Sequence, residues 1–321
     1  LRNNAAVGTV GGGVTVAAGA QLGLENDIAV GAETLILHGG GGISPLFNGT
    51  GNNTWGGAVT LATAGVDIIS QAGTLTFGST VVGQNAAFSG AGNFVIQGAF
   101  GAGAEALTKN GGGVLTLNGA NNHTGATAIN AGAVNYNGIG VAVSPITVSG
   151  AGTKLAGTGT IPGPVSMTAG TILAPGANNG DAAGTLTING AVTFSGNSKY
   201  MVTMTGGAID RIISGGALTA GGIGGASTIE MQAGYSTAGI TVPVAVMNVA
   251  GGYTAFNPGS LPAGFTLSTV KDGSGNINFT AMTGAMVPTL SEWGIILTIL
   301  LLAFAGVVFL RKQRHAGGVA Y

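Results

Sequence analysis

A strand-like phrase followed by glycine recurs along this chain, and the recurrence limits the possible folds more than any other feature. It reads GTLTF at 73–77, GVLTLNGA at 113–120 and GTLTINGA at 184–191. A second phrase, two strand-like runs joined by Ala-Gly, occurs at 125–134 and again at 163–172. Short strand–turn units cannot bury an apolar face alone, so they stack and share one core. The repeats therefore predict an all-β solenoid.

Glycine and residue alternation support the same fold. Of 321 residues, 64 are Gly, and Gly weakens helices while it permits tight turns. Apolar and small polar residues alternate between the Gly positions, as in strands with one buried face, and residues 1–286 show no helical period. At about 20–25 residues per coil, as in other solenoids, these residues form stacked coils. The predicted strands include Val14–Val16, Thr34–Leu37, Ala58–Leu61, Thr74–Phe77, Val114–Leu117, Thr127–Ile129, Thr185–Ile188 and Ile277–Phe279.

The Leu-Thr-Leu alternation at 115–117 predicts which side chains enter the core. Leu115 and Leu117 are expected to point inward and Thr116 outward.

Composition excludes several classes of protein and site. The chain has no Cys, which excludes a disulfide scaffold and a Cys-based zinc site. Nine Lys and Arg against ten Asp and Glu leave no basic surface for nucleic acid. Nothing in the motifs predicts a metal or another cofactor, so none is expected.

The C-terminal segment has the pattern of a membrane anchor. Residues 294–310 contain no charge, Trp293 precedes them, and Arg311, Lys312 and Arg314 follow. An apolar run with an aromatic residue and a basic cluster at its ends predicts a transmembrane helix, with the tail 311–321 in the cytoplasm. Residues 1–286 have six basic and nine acidic residues, a net charge of −3, and are expected outside the cytoplasm. A buried core helix is the alternative.

The first residues contain no secretion signal. The sequence begins Leu-Arg-Asn-Asn, with neither Met nor an apolar segment. Because export of residues 1–286 needs such a signal, we expect the sequence to be a fragment or a mature form.

The segment LTKNGGGVLTLNGANNHTGATAINAGAV at 107–134 resembles the autotransporter-associated β-strand repeat of bacterial passenger domains. Residues 51–61 are similar to the segment that commonly precedes this repeat, and residues 157–190 to the section that follows it. The resemblance implies a right-handed parallel β-helix over residues 1–286. The sequence departs from the autotransporter pattern after residue 286, where one apolar run replaces alternating strands.

The octet VPTLSEWG, with the apolar run and basic tail behind it, resembles the IPTL-CTERM sorting signal of the PEP-CTERM-like group. The resemblance implies processing by an exosortase-type membrane enzyme of Gram-negative bacteria. A capping box, with Thr289 as N-cap and Glu292 three residues later, is the simpler alternative. The predicted motif consists of Val287, Pro288, Thr289, Leu290, Ser291, Glu292, Trp293 and Gly294.

No combination of residues predicts catalysis. His38 and His123 are expected to be solvated loop residues, and Asp210 is expected to form a surface ion pair with Arg211. Glycoside hydrolysis needs two facing carboxylates. Glu25, Asp27 and Glu33 form the densest acidic group, and within it Asp27 and Glu33 could flank a cleft. Solvated turns are the expected role of these three acids.

These features together favour a non-enzymatic protein, exported to the cell surface and acting in adhesion or as matrix structure. Its expected partners are the membrane, an exosortase-type enzyme and a surface polysaccharide or neighbouring cell. The alternatives are a polysaccharide-active enzyme, in which Glu25, Asp27, Glu33, Asp67 and Lys109 would converge, and a surface protein that keeps its membrane anchor.

Overall fold

Short alternating segments separated by Gly form the strands of a parallel β-solenoid. In the computed structural model, residues 1–4, 11–221, 227–232, 244–259, 261 and 265–281 are described. Each coil contributes one strand to each of two long ladders, most coils add a strand to a third, and successive coils pair in parallel. The all-β parallel solenoid is confirmed.

The first two ladders are long sheets of eleven strands each. Sheet A contains Leu22–Leu24, Leu46–Asn48, Val66–Ser70, Ala86–Ser89, Leu107–Lys109, Thr127–Ile129, Ile146–Val148, Val165–Met167, Val192–Phe194, Leu218–Ala220 and Tyr253–Thr254. Sheet B contains Ala29–Val30, Asn52–Trp55, Thr74–Phe77, Asn93–Ile96, Val114–Leu117, Ala133–Tyr136, Lys154–Gly157, Ile172–Pro175, Lys199–Val202, Thr228–Met231 and Asn257–Pro258.

The third ladder narrows in its middle. It begins as a four-stranded sheet of Val14–Val16, Leu35–Leu37, Val59–Leu61 and Val81–Gly83. Single parallel bridges through Phe100, Asn121 and Gly140 continue it. It widens again into a six-stranded sheet of Thr160–Ile161, Thr185–Ile188, Arg211–Ser214, Val244–Val249, Asn276–Ala281 and Phe265–Leu267. The middle coils thus have loops where the other coils have a third strand.

Coil length divides the solenoid after residue 65 into two parts. In sheet A, Ala86 pairs with Leu107, Leu107 with Thr127 and Thr127 with Ile146, so these coils have 21, 20 and 19 residues. Val165 pairs with Val192, and Leu218 with Tyr253, which gives 27 and 35 residues. We call residues 66–167 the regular coils and residues 168–281 the expanded coils.

The expanded coils contain the departures from parallel pairing. The four-residue helix Ala177–Gly180 and the antiparallel pair Met204–Thr205 and Ala208–Ile209 are inserted here. Val244–Val249 then pairs antiparallel with Asn276–Ala281, which pairs antiparallel with Phe265–Leu267. This antiparallel pairing ends the stack of parallel strands on the third ladder.

The core is one continuous column of apolar side chains from all three ladders. Leu115 and Leu117 are buried in it, which confirms their predicted inward orientation. Phe88 contacts Phe94 and Phe100 edge to face, with ring centroids 5.2 and 6.2 Å apart. The predicted strands Thr74–Phe77, Val114–Leu117, Thr127–Ile129 and Thr185–Ile188 form with those bounds.

Glycine permits close stacking of adjacent coils. A Cβ on Gly113 would lie 1.9 Å from the carbonyl oxygen of Gly92 in the coil before, whereas one on Gly112 would meet nothing within 4 Å. The glycines at 111–113 therefore act as a turn, as predicted, and one of them is also required for coil-to-coil contact.

Candidate functional site

A polar groove opens where the third ladder narrows. Two loops from successive coils, 82–85 and 102–105, enclose a space of about 420 Å³. The exposed carboxamides of Gln84 and Asn85 and the carboxylate of Glu105 lie among small residues there. We call this space the corner groove, because it lies between the third ladder and sheet A.

Backbone groups hold the Glu105 carboxylate in place. Its Oε1 accepts a hydrogen bond from Ala102 N at 3.0 Å, and its Oε2 accepts one from Gly103 N at 2.5 Å. Burial acts to raise the pKa of Glu105, but backbone N–H donors outweigh it and lower the pKa. The groove therefore has a fixed negative charge at neutral pH, and each oxygen keeps acceptor capacity for a ligand.

His123 lies buried near this carboxylate, so its prediction as a solvated loop residue is wrong. Only 2% of its surface is exposed, its Nε2 lies 2.8 Å from Thr127 Oγ1, and its ring packs edge-on against Phe100. Burial lowers the pKa of His123, and the Glu105 charge opposes this lowering only in part. A neutral imidazole therefore lies in the core, close enough to Glu105 to sense its charge.

A second, smaller groove connects the corner groove with the outer surface of sheet A. It encloses about 230 Å³ and is lined by residues 65–66, 85–87 and Thr108. Asn85 lines both grooves, and its Oδ1 accepts a hydrogen bond from Ala106 N at 2.8 Å. The two grooves thus form a path that leads to Thr108.

From Thr108 onward, small uncharged side chains form a row along the outer surface of sheet A. Strand pairing places one outward residue of each coil next to that of the following coil. The row has seven such residues, one per coil, at the strand spacing of about 4.8 Å, and six of them carry a hydroxyl group. The row consists of Thr108, Ala128, Thr147, Ser166, Thr193, Thr219 and Thr254.

The rest of this surface is also uncharged. In these seven strands and the residues directly before and after each of them, Lys109 is the one charged residue, and its side chain points inward. A second row runs beside the first, where Asn130 Nδ2 donates to Asn110 Oδ1 and Ser149 Oγ donates to Asn130 Oδ1, both at 3.0 Å. We call this surface, on the strands from Leu107 to Thr254 in sheet A, the hydroxyl face.

The residues weighed for catalysis are spread over three coils, with Glu25, Asp27 and Glu33 in one coil and Asp67 and Lys109 in later ones. Glu25 pairs with Arg2 at 2.7 Å, and Asp27 Oδ1 accepts a hydrogen bond from Asn52 N at 2.7 Å. Asp67 Oδ1 accepts from Ser89 Oγ at 2.7 Å on sheet A.

Glu33 and Lys109 have roles within the fold. Glu33 is buried, which corrects its expected solvated position, and its Oε2 accepts a hydrogen bond from Gly13 N at 3.1 Å. Lys109 is buried too, and its Nζ donates to the carbonyl oxygens of Asn110 and Gly111, both at 2.8 Å. Burial lowers the pKa of Lys109 to about 8.

Asp210 is buried, so its predicted surface ion pair with Arg211 is wrong. Its Oδ1 accepts a hydrogen bond from Gly184 N at 2.8 Å, and its Oδ2 accepts one from Thr203 N at 2.7 Å. Burial raises the pKa of Asp210 to about 7, although the hydrogen bonds from these donors act to lower it. His38 lies directly after the strand Leu35–Leu37 and is half-buried, so it is less exposed than the solvated loop position expected for it.

The predicted sorting segment lies outside the described residues. This applies to the octet at 287–294, the apolar run at 294–310 and the basic residues Arg311, Lys312 and Arg314. Within the part of the chain that the structure describes, no helix has the length and apolar character needed to cross a membrane. In that same part, no cluster of His, Asp or Glu has the makeup of a metal site.

Comparison with known families identifies both motifs. The Passenger-associated-transport-repeat model matches residues 107–135, which run from the start of the hydroxyl face into sheet B. The IPTL-CTERM motif model matches residues 287–315. The chain carries both motifs. The two resemblances seen in the sequence are therefore confirmed.

A curated relative supports the passenger resemblance. The adhesin BmaC autotransporter of Brucella suis biovar 1 (strain 1330) is 31% identical over 186 residues, which is 56% of this chain. The aligned region spans about 5% of that relative's length. No solved structure matches the chain significantly.

Sequence reasoning did not find the grooves, because their lining comes from loops about 20 residues apart that only coil stacking brings together. The coil length of 20–25 residues was the available signal, since it places Asn85 and Glu105 on neighbouring coils. The hydroxyl face was also detectable, as the second residue of each of these short strands.

Proposed function

We propose that this protein is a non-enzymatic, adhesin-like protein of the cell surface. The observation that supports this most is a passenger repeat within a parallel solenoid, in a chain that resembles an adhesin over 186 residues. Solenoids of this type present long, regular outer surfaces, which suit binding rather than chemistry at one point. The carboxylates considered for catalysis also support a non-enzymatic role, because each of them bonds to a different group of the fold.

The proposal includes export and membrane attachment. Residues 1–286 form the ectodomain, wound in the right-handed sense that the passenger resemblance implies. Residues 294–310 form a transmembrane helix, and Arg311, Lys312 and Arg314 retain the tail in the cytoplasm. An exosortase-type enzyme then processes the chain near 287–294. The IPTL-CTERM match supports the signal, and the charge-free run with its basic end supports the helix.

An attachment assay tests the adhesive function. Cells that produce the protein are compared with a deletion strain and with a complemented strain for adherence to abiotic and cellular surfaces. We expect the deletion to reduce adherence and complementation to restore it. Equal adherence of all three strains would contradict an adhesive role.

Mass spectrometry tests the processing step. We expect the mature protein to end near residues 287–294, with the C-terminal peptide ending in Tyr321 absent from it. A variant with Pro288→Ala and Thr289→Ala should retain Tyr321, because it changes the motif and leaves the apolar run intact. An intact C-terminus in all wild-type material would contradict processing and favour a permanently anchored protein.

The enzymatic alternative is tested separately. Purified protein incubated with polysaccharides should release no reducing ends. A turnover that Glu105→Gln abolishes would replace the adhesin proposal with a carbohydrate-active enzyme.

A further inference from the structure

We propose that the corner groove and the hydroxyl face together bind a neutral polysaccharide that lies along the solenoid. This inference rests on the adhesin-like function and names the chemical class of its partner. Two observations carry it independently: a polar groove with a fixed carboxylate, and an uncharged hydroxyl row on the adjoining surface.

The groove has the chemistry of a sugar site. Sugar hydroxyl groups donate to carboxylates and both donate to and accept from carboxamides, and the groove offers Glu105, Gln84 and Asn85. Backbone N–H groups of Ala102 and Gly103 already orient the carboxylate. A ligand that binds there therefore pays little to order this side chain. A volume of about 420 Å³ is within the range of small-ligand pockets and suits a short sugar segment.

The path from the groove leads onto a surface suited to a longer polymer. The smaller groove joins Asn85 to Ala87 and Thr108, where the hydroxyl row begins. Six further coils continue the row to Thr254, so the row extends over about 30 Å at the strand spacing. That spacing is comparable with the length of one sugar unit in an extended polysaccharide. One chain lying along the row can therefore contact successive coils with successive units.

Charge selects the class of polymer. A polyanionic polysaccharide would meet the fixed Glu105 charge and no cation to pair with, since the hydroxyl face has no outward charge. A neutral polymer suffers neither cost, and hydroxyl and amide groups can replace its bonds to water. Sheet B differs, because Lys199 and Glu230 form an ion pair at 3.0 Å on its outer side. The neutral partner is therefore assigned to sheet A.

Affinity on such a surface comes from many weak contacts. The row has no aromatic residue, so each coil contributes little, and the sum along the rod provides binding. A single bulky charge within the row should interrupt the polymer and cost more than the loss of one contact.

The test measures co-sedimentation of the full chain with insoluble polysaccharides. Cellulose, mannan and chitin serve as neutral probes, and calcium alginate gel as the anionic probe. We expect binding to at least one neutral polymer and none to alginate. Thr147→Lys should weaken that binding about tenfold, and Gln84→Ala should weaken it several-fold.

Two matched variants control for general effects. Thr60 is the exposed middle residue of Val59–Leu61, as Thr147 is of Ile146–Val148, but it lies on the third ladder. Gln71 is exposed in a turn outside the groove, whereas Gln84 lines it. Thr60→Lys and Gln71→Ala should bind as the wild-type chain does.

Several results would overturn the inference. They are absence of binding to every neutral probe, preference for alginate, or equal losses in Thr60→Lys and Thr147→Lys. Reduced adherence of the deletion strain in the attachment assay would then show that the adhesin-like function stands without this partner. Equal adherence of all three strains in that assay would instead contradict the adhesin-like function itself, which keeps the two failures distinct.

Discussion

The regular coils at 66–167 and the expanded coils at 168–281 build the same three ladders by different means. In the regular coils, Gly turns and inward apolar residues recur every 19–21 residues, and polar groups mostly face outward. The expanded coils insert a helix and an antiparallel pair, and the buried Asp210 bonds the inserted segments together. The regular coils are thus held by the repeat of turns and apolar residues, whereas the expanded coils add a buried polar anchor at Asp210.

The largest difference should appear when a charge enters the regular core. Leu115→Asp places an unpaired carboxylate in the apolar column and should lower the free energy of unfolding by about 3 kcal/mol or more. Its neighbour Thr116 faces outward, so Thr116→Asp should cost less than about 1 kcal/mol. Thermal unfolding followed by circular dichroism distinguishes them. Equal melting temperatures would show that the inward assignment is wrong.

Close stacking of the regular coils gives the next largest effect. Gly113→Ala forces a methyl group onto the Gly92 carbonyl and should cost about 1–3 kcal/mol. Gly112→Ala is the matched control, because its Cβ would meet no atom within 4 Å. Chemical denaturation of both variants checks this. A stable Gly113→Ala protein would mean that adjacent coils separate without cost.

The expanded coils should lose stability as pH rises. Burial raises the folded-state pKa of Asp210 to about 7, so the folded state binds more protons than the unfolded state from about pH 4 to 7. Stability therefore falls across that window, by at least about 1 kcal/mol. Hydrogen-exchange protection at 199–214, corrected for the intrinsic rate, should be higher at pH 5 than at pH 8. Asp210→Asn should remove the dependence; a flat wild-type profile would contradict the assignment.

The regular coils should respond to pH in the opposite direction. Burial lowers the folded-state pKa of His123, so the unfolded state binds more protons below the ordinary histidine range, and stability falls with acidification. The lowered pKa of Glu105 acts with the same sign. Protection at 121–129 should decrease below about pH 6.5, and His123→Gln should reduce that decrease. Rising protection in acid would contradict the burial of a neutral imidazole.

The smallest effect on stability is expected on the outer surface. Thr147→Lys and Thr60→Lys should each change the free energy of unfolding by less than about 0.5 kcal/mol. The first should weaken polysaccharide binding and the second should not. A large loss of stability in Thr147→Lys would assign the hydroxyl face a structural role instead.

Most of the regular coils could be predicted from the sequence because the repeat determines strands, turns and inward residues together. Val114–Leu117 and Thr127–Ile129 show this, since alternation and a following turn mark each of them. The burial of His123 and Asp210, by contrast, could not be predicted from the sequence. Both lie in segments that read as turns or edges, and both are buried by residues from other coils. The corner groove could not be predicted from the sequence either. It is a space between two loops of successive coils, and no local sequence pattern marks such a space.

Protease treatment of intact cells that produce the protein tests the surface role most directly. Peptides released by trypsin are identified by mass spectrometry, with a cytoplasmic protein as the control for lysis. The proposed function predicts that peptides from residues 1–281, cut at accessible basic residues such as Arg2, Lys154 and Lys271, are released while the cells remain intact. Release of these peptides only after lysis would contradict display at the cell surface.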